Sequence, residues 1–278
     1  MFAPFIKEGI GLHTGEASRI VVEMGLPGSG VVFLSDEEII PAQPKYLSRA
    51  HKRATALVGE LQAVSTVEHL LAALCAFGEK DVRISVEGPE IPILDGSALP
   101  FALALEEMGA SPNPHFVRIS EPVVATYQNS TAQITPVGPE GEPFIHVAID
   151  FERPELQPEA FTYYPLRDSF LNTIAPARTF AFEADVEGIL QAGLGKGGSL
   201  DCALILGQNG PVNPEGMRFE NEPARHKLLD ALGDLFLLGG LPFAEIHLEK
   251  PGHRLLHELT RRAMPRCCAF DRDFGSKK

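Results

Sequence analysis

Asn221-Glu-Pro-Ala-Arg-His226-Lys-Leu-Leu-Asp230-Ala-Leu-Gly-Asp234-Leu-Phe-Leu-Leu-Gly239-Gly240 is the stretch on which the reading of this chain turns. Asn221 is a good N-cap, Pro223 suits a first turn, and the glycine pair is a natural stop. Leu228, Leu229, Leu232, Leu235, Phe236 and Leu238 fall nearly all round the helix, so it is expected to be buried. His226, Asp230 and Asp234 nonetheless recur at i, i+4 and i+8 on one face. Burying an imidazole and two carboxylates without partners costs several kcal/mol or forces protonation. A cation must compensate: either a divalent metal held by His226 and Asp230, or an Arg or Lys from elsewhere in the chain.

Working outward, Ser65-Thr-Val-Glu68-His69-Leu-Leu-Ala-Ala-Leu-Cys-Ala-Phe-Gly78 is expected to form a second buried helix. Ser65 and Glu68 match a capping box, with Ser65 as N-cap. Glu68 therefore has two readings, a cap or a general base beside a ligand. His69 sits in the first turn, where the positive helix end favours the neutral imidazole that a metal binds. A satisfied core histidine is the alternative. Catalytic zinc takes three protein ligands and keeps a fourth position for water, and two histidines with one carboxylate are a known set. His69, His226 and Asp230 would supply that set from two distant helices.

The length of 278 residues suits one large domain or two small ones, and a hydrophobic content of 44% is enough for a core. No run of about 18 apolar residues marks a transmembrane helix. The N-terminus MFAPFIKEGIG lacks the layout of a signal peptide. A cytoplasmic protein without stable membrane insertion is expected. Cys75 and Cys202 read as free buried thiols, and the adjacent Cys267 and Cys268 could bridge only with strain. A net charge of −13 argues against non-specific nucleic-acid binding.

Gly109-Ala-Ser-Pro-Asn-Pro114 has linker composition and divides residues 1–110 from 111–278. Before it lie a strand at Val82-Arg-Ile-Ser-Val86 and a helix from Pro100 to Met108. After it Phe116-Val-Arg-Ile, Ala132-Gln-Ile-Thr, Phe144 to Asp150 and Ala244 to Leu248 read as strands, and a final helix runs through Leu255 and Leu259. Each half is therefore expected to be α+β, with helices on one face of a sheet. Val-Arg-Ile-Ser occurs at Val82 and at Val117, too short a match to show a repeat.

Six segments carry a resemblance: Gly9-Ile-Gly-Leu-His-Thr-Gly15, Ser65-Thr-Val-Glu-His69, Glu90-Ile-Pro-Ile-Leu-Asp-Gly-Ser97, Ala177-Arg-Thr-Phe180, Gly197-Gly-Ser-Leu-Asp-Cys202 and Arg225 to Asp234. In order and spacing the chain resembles the zinc-dependent UDP-3-O-acyl-N-acetylglucosamine deacetylase family of lipid A biosynthesis, from about Phe5 to about Leu259. The resemblance implies two similar α+β domains, helix layers packed together and an active site between them. It implies hydrolysis of the N-acetyl group of UDP-3-O-(3-hydroxyacyl)-N-acetylglucosamine, the committed step towards lipid A in a Gram-negative-type cell. The expected partner is that acylated UDP-sugar, acted on by a monomer.

Residue by residue, the resemblance makes His69, His226 and Asp230 the zinc ligands, a set that also accepts Fe²⁺. Glu68 becomes the base, alone or sharing the protons with His253. Thr179 donates to the oxyanion, and Asp234 keeps His253 charged. Lys227 faces the hexosamine or phosphate side of the substrate, and Phe180 and Phe182 the uridine side. An insert at about 180–204, with Leu190, Leu194 and Leu200, forms a passage for the acyl chain. Without the resemblance, Thr179 reads as a loop threonine, Lys227 as a surface lysine, His253 as a loop histidine, and the phenylalanines and leucines as core. His13 lies in a matched segment but is not taken as a ligand, and Asp95-Gly96-Ser97 reads as a tight turn. His51, His115, His146, His247 and His257 are left as surface or core residues. Gly193 to Ser199 lacks the order of a phosphate-binding Walker loop, which counts against a kinase. The stretch from Lys52 to Thr55 matches the family poorly and leaves the acyl-chain preference open.

Overall fold

The computed structural model describes residues 3–35, 38–50, 53–138 and 140–269; His51, Lys52 and the charged tail from Phe270 lie outside them. Two five-stranded sheets organise the chain. In the first, Phe5–Ile10, Ala17–Met24, Val82–Glu87, Val31–Ser35 and Glu38–Pro41 lie side by side in that order. In the second the order is Val123–Tyr127, Ser130–Pro136, Ala244–Glu249, Phe144–Ile149 and Glu159–Tyr163. Both sheets have the strand order 1-2-5-3-4, counted along the chain within each sheet, and in both only the central 5–3 pair is parallel. The two halves therefore share one topology. The repeated Val-Arg-Ile-Ser has no part in it. Its first copy lies in the central strand Val82–Glu87, while its second lies in Phe116–Ile119, in a small separate sheet with Leu241–Pro242 and Cys267–Ala269.

Alternation makes one face of each sheet apolar. Ile20 and Val22 are buried from Ala17–Met24, and Ile145, Val147 and Ile149 from Phe144–Ile149. Among the described residues six α-helices follow in chain order: α1 (Glu68–Phe77), α2 (Leu99–Glu107), the single turn α3 (Phe170–Thr173), α4 (Glu183–Gln191), α5 (Glu222–Phe236) and α6 (His253–Ala263). Helix α1 is rich in Leu and Ala, strong helix formers, and all ten of its residues are buried. It stops at Gly78, whose φ of 70° is open to glycine, and Glu79 N closes the end on Leu74 O at 3.0 Å. Helices α1 and α5 pack against each other, and their leucines join both halves in one continuous core. Helix α6 packs on α5 and on the strand Val123–Tyr127.

Three local expectations are corrected. Ser65 does not cap α1: it ends the strand Ala63–Ser65, and its hydroxyl donates to Pro89 O at 3.3 Å. The chain turns through Thr66 at φ 56°, and Val67 precedes the helix without a side-chain cap, so the Glu68 carboxylate is free of capping. Asn221 does begin α5, but its Oδ1 accepts from Arg225 Nε at 2.7 Å rather than from the backbone. His253 is not in a loop; Gly252 is extended, and His253 is the first residue of α6.

Gly109 to Pro114 carries no helix or strand, and the four cysteines are free. Phe180–Phe182, Leu204–Gly207 and Gly210–Pro211 form a small three-stranded sheet with α4 beside it. No helix among the described residues is long and apolar enough to cross a membrane.

Candidate active site and metal centre

The crossing of α1 and α5 builds the site. Glu68 and His69 open α1, and His226, Asp230 and Asp234 form the stripe on α5; all five are buried. His226 Nε2 stands 3.4 Å from Asp230 Oδ1, and His69 Nε2 stands 3.8 Å from the same oxygen. His226 Nδ1 lies 3.1 Å from Ala177 O, and a carbonyl only accepts, so Nδ1 carries the proton and Nε2 presents a lone pair. Burial, then the neighbouring His226, drives the His69 pKa down to about 3. Burial likewise lowers that of His226. Both rings are neutral near pH 7.

Burial alone would raise Asp230, but Lys227, His226, His253 and His69 outweigh it and hold the carboxyl well below the usual range. Lys227 Nζ binds Asp230 Oδ2 at 2.8 Å, while Asp230 Oδ1 is buried without a hydrogen-bond partner among the described residues. The Nε2 atoms of His69 and His226 and an orphaned carboxylate oxygen therefore face one point. Their ligand atoms lie within 4.8 Å of one another. A buried carboxylate oxygen without a hydrogen-bond partner is costly, and with two neutral imidazoles beside it a divalent cation is the group this donor set fits. The Lys227 contact supplies the compensating side-chain cation of the alternative reading, but only to Oδ2.

A second cluster adjoins the first. His253 Nδ1 donates to Asp234 Oδ2 at 2.9 Å, and His253 Nε2 lies 3.6 Å from Glu68 Oε1. Burial opposes charge on His253, but Asp234 and then Asp230 prevail and raise it to about 9. Burial also raises Asp234, yet His253 and His257 hold it well below the carboxylate range. Glu68 is pushed up to about 8 by burial, against the pull of His253.

Thr55 was not legible as a site residue. It is fully buried, its backbone N–H donates to Glu68 Oε2 at 3.1 Å, and its hydroxyl binds Asp234 Oδ1. His257, left in the sequence as a surface or core residue, is buried with Nε2 3.5 Å from Asp234 Oδ1. No spacing signal marks Thr55, whereas His257 falls four residues after His253, one helical turn along α6. His13 lines the same cleft, and neither of its ring nitrogens has a partner among the described residues.

The cleft over these groups has a volume of about 1520 Å³. Thr179 lines it, held by its backbone: its N–H donates to Gly96 O and its carbonyl accepts from Leu204 N, both at 2.8 Å. The neighbouring Arg178 anchors that loop from below, with Nε 2.9 Å from the buried Glu222. Phe180, Val186, Ile189, Leu190, Leu200 and Ile205 make an apolar wall. Leu190 and Leu200 are 49% and 40% exposed, so they belong to the wall rather than to a core. Phe182 and Leu194 are not in that wall; Phe182 is buried behind it, against Phe151 and under the Arg153 guanidinium. Phe151 lines the cleft and was missed from sequence. Lys227, Lys250, Arg49, Arg53, Arg254 and Arg261 give another part of the lining a basic character within an acidic chain. Asp95-Gly96-Ser97 is the expected turn, with Ser97 N donating to Asp95 Oδ1 at 3.1 Å.

Two like-built α+β halves, with a histidine–carboxylate cluster where their helices cross, define a hydrolase of the metal-dependent kind. The chain belongs to the UDP-3-O-acyl N-acetylglycosamine deacetylase family, whose model matches residues 3–264. It is 36% identical to the UDP-3-O-acyl-N-acetylglucosamine deacetylase of Campylobacter fetus, over 91% of this chain and 86% of that one. It is 38% identical to the Myxococcus xanthus deacetylase, over 94% of this chain and 84% of the relative. The Nostoc deacetylase is also 38% identical, over 92% and 94%.

Proposed function

We propose that the chain hydrolyses the N-acetyl group of UDP-3-O-(3-hydroxyacyl)-N-acetylglucosamine, releasing acetate and the free amine on the path to lipid A. The observation that carries the reading is the orphaned Asp230 Oδ1 facing the Nε2 atoms of His69 and His226. His69, His226 and Asp230 would hold zinc, and Fe²⁺ suits the same donors. Zinc bound there would lower the pKa of a water to about 7 and polarise the acetamide carbonyl.

The remaining work falls to side chains. Glu68 takes the proton of the attacking water as its oxygen adds to the carbonyl carbon. A carboxyl held protonated up to about 8 by burial is a poor base at neutral pH. With a divalent cation held by the adjacent His69, His226 and Asp230, Glu68 would be kept in its ionised form and could accept that proton. The Thr179 hydroxyl donates to the oxygen on which negative charge develops. As the carbon–nitrogen bond breaks, the amine takes a proton from Glu68 or from His253. Asp234 supports the second donor by keeping that imidazole charged.

Lys227, Phe180, Leu190 and Leu200 contact the substrate, with Phe182 and Leu194 backing the wall. The apolar wall suits an acyl chain and the basic lining suits a diphosphate. A volume of about 1520 Å³ exceeds the roughly 300–1,000 Å³ of an ordinary small-molecule pocket, as a lipid-bearing nucleotide sugar requires. On this reading residues 1–110 and 111–278 are the two domains, and the protein works as a cytoplasmic monomer. Acetate release from the acylated UDP-sugar, with chelated and zinc-restored samples in parallel, tests it. Release that chelation abolishes and zinc restores is expected; no release from folded, metal-loaded protein overturns it.

A further inference from the structure

Thr55 joins the two halves of the site through one residue. It precedes the strand Ala56–Val58, yet its hydroxyl reaches Asp234, 179 positions away. The same oxygen lies 2.8 Å from His257 Nε2 and 3.1 Å from His253 Nδ1. A threonine hydroxyl has one proton, and an ionised carboxylate can only accept. That proton therefore goes to Asp234 Oδ1. The hydroxyl oxygen is left as an acceptor, so His257 must donate to it from Nε2–H. Asp234 Oδ2 accepts from His253 Nδ1–H at 2.9 Å. Both carboxylate oxygens are thus held, and the carboxylate cannot turn away from His253. On its other side the Thr55 N–H holds Glu68 Oε2 at 3.1 Å.

We propose that Thr55 is a positioning residue that fixes Glu68 and, through Asp234, His253 relative to each other, with His257 bracing its hydroxyl. The proposal rests on the hydrolase reading of the site. Thr55 touches no substrate and acts only through the two groups it orients. Outer partners of this kind change rate or affinity by about 10–100-fold when removed.

The test compares Thr55→Val, Thr55→Ser, His257→Leu and His257→Gln with wild type, all metal-loaded. The readouts are kcat, KM, metal content and melting temperature. Thr55→Val is expected to lower kcat by about 10-fold or more at near-constant KM and full metal content. Thr55→Ser restores the rate, because it restores the hydroxyl. His257→Leu lowers kcat, and His257→Gln, which keeps a donor, recovers most of it. Long-range ¹H–¹⁵N correlation of the imidazoles in folded wild-type protein is expected to report a proton on Nε2 of His257. That readout needs no turnover, so it separates failure of the positioning scheme from failure of the hydrolase reading. Wild-type kcat in Thr55→Val, or loss of metal in step with loss of rate, overturns the proposal. If Thr55→Val does not fold, the His257 pair decides: equal rates in His257→Leu and wild type, or a bare Nε2 on His257, overturn it.

Discussion

Gly233 of α5 lies directly against the backbone of Glu68 in α1: a Cβ on Gly233 would stand 2.1 Å from Glu68 O and 2.9 Å from Glu68 Cα. This glycine falls between Asp230 and Asp234 on the helix whose stripe makes the site. The absence of a side chain there lets the two helices approach closely enough for Glu68 and His69 to meet that stripe.

Gly233→Ala therefore sets two effects against each other. Alanine favours a helix over glycine by about 1 kcal/mol. Overpacking against a neighbouring backbone costs about 1–3 kcal/mol, and here the obstacle is a carbonyl rather than a flexible side chain. A net loss of stability is expected, together with weaker metal binding as α1 is pushed from α5. Urea unfolding and metal titration read both; a variant more stable than wild type with full metal affinity would contradict the tight crossing.

The pH dependence of the chelated protein follows from two raised groups. Asp234 and Asp230 overcome burial and lift His253 to about 9, while burial lifts Glu68 to about 8. A group whose pKa rises on folding binds its proton more tightly in the native state. The stability from His253 is thus whole below about pH 6.5 and lost as pH climbs through about 9. Glu68 acts with the same sign, because above about pH 4.5 the unfolded chain has already released the proton that the native state keeps. Chelated wild type should therefore weaken from about pH 4.5, where Glu68 begins to act, through about pH 9, with an amount on the order of 3 kcal/mol from His253 alone above about pH 6.5. Asp234→Asn should flatten that decline and, in the metal-loaded protein, cut the rate by about 10–100-fold while metal stays bound. Urea midpoints across the range test the first claim, and kinetics beside metal analysis test the second. A flat wild-type profile, or metal loss preceding rate loss, would contradict them.

Arg178 and Glu222 form a pair buried to 1% and 0% exposure beneath Thr179. Arg178→Met leaves the buried Glu222 carboxylate without its countercharge, holding only the backbone N–H groups of residues 178 and 218, and removing one partner of such a pair costs up to about 3–5 kcal/mol. Adding Glu222→Gln should recover much of that loss. Denaturant unfolding of the single and double variants measures it; equal stabilities for wild type and Arg178→Met would show the pair to be idle.

Legibility in the sequence followed periodicity. The stripe of His226, Asp230 and Asp234 could be read because helical spacing alone puts it on one face, and the strand Val82–Glu87 because it alternates. Glu68 was found by position with two readings, a cap or a base, and the cap fails because the strand ending at Ser65 delays the helix start. Sheet order was hidden, because each parallel central pair forms only after a long crossover. Thr55, and the contact that His257 makes with it, were hidden for the same reason. The partners of Thr55 are 179 and 202 residues distant, and no local pattern records a contact made by tertiary approach. The resemblance supplied the family, but it was weakest at the stretch that contains Thr55.

The most direct measurement is acetate release by Glu68→Gln with bound metal quantified in the same preparation. Glutamine keeps the size of the side chain and cannot take a proton from water. The expected result is about one metal ion per chain and turnover lowered by about 100-fold or more, within the range of a lost general base. Wild-type turnover at full metal content would contradict a role for Glu68 as the base.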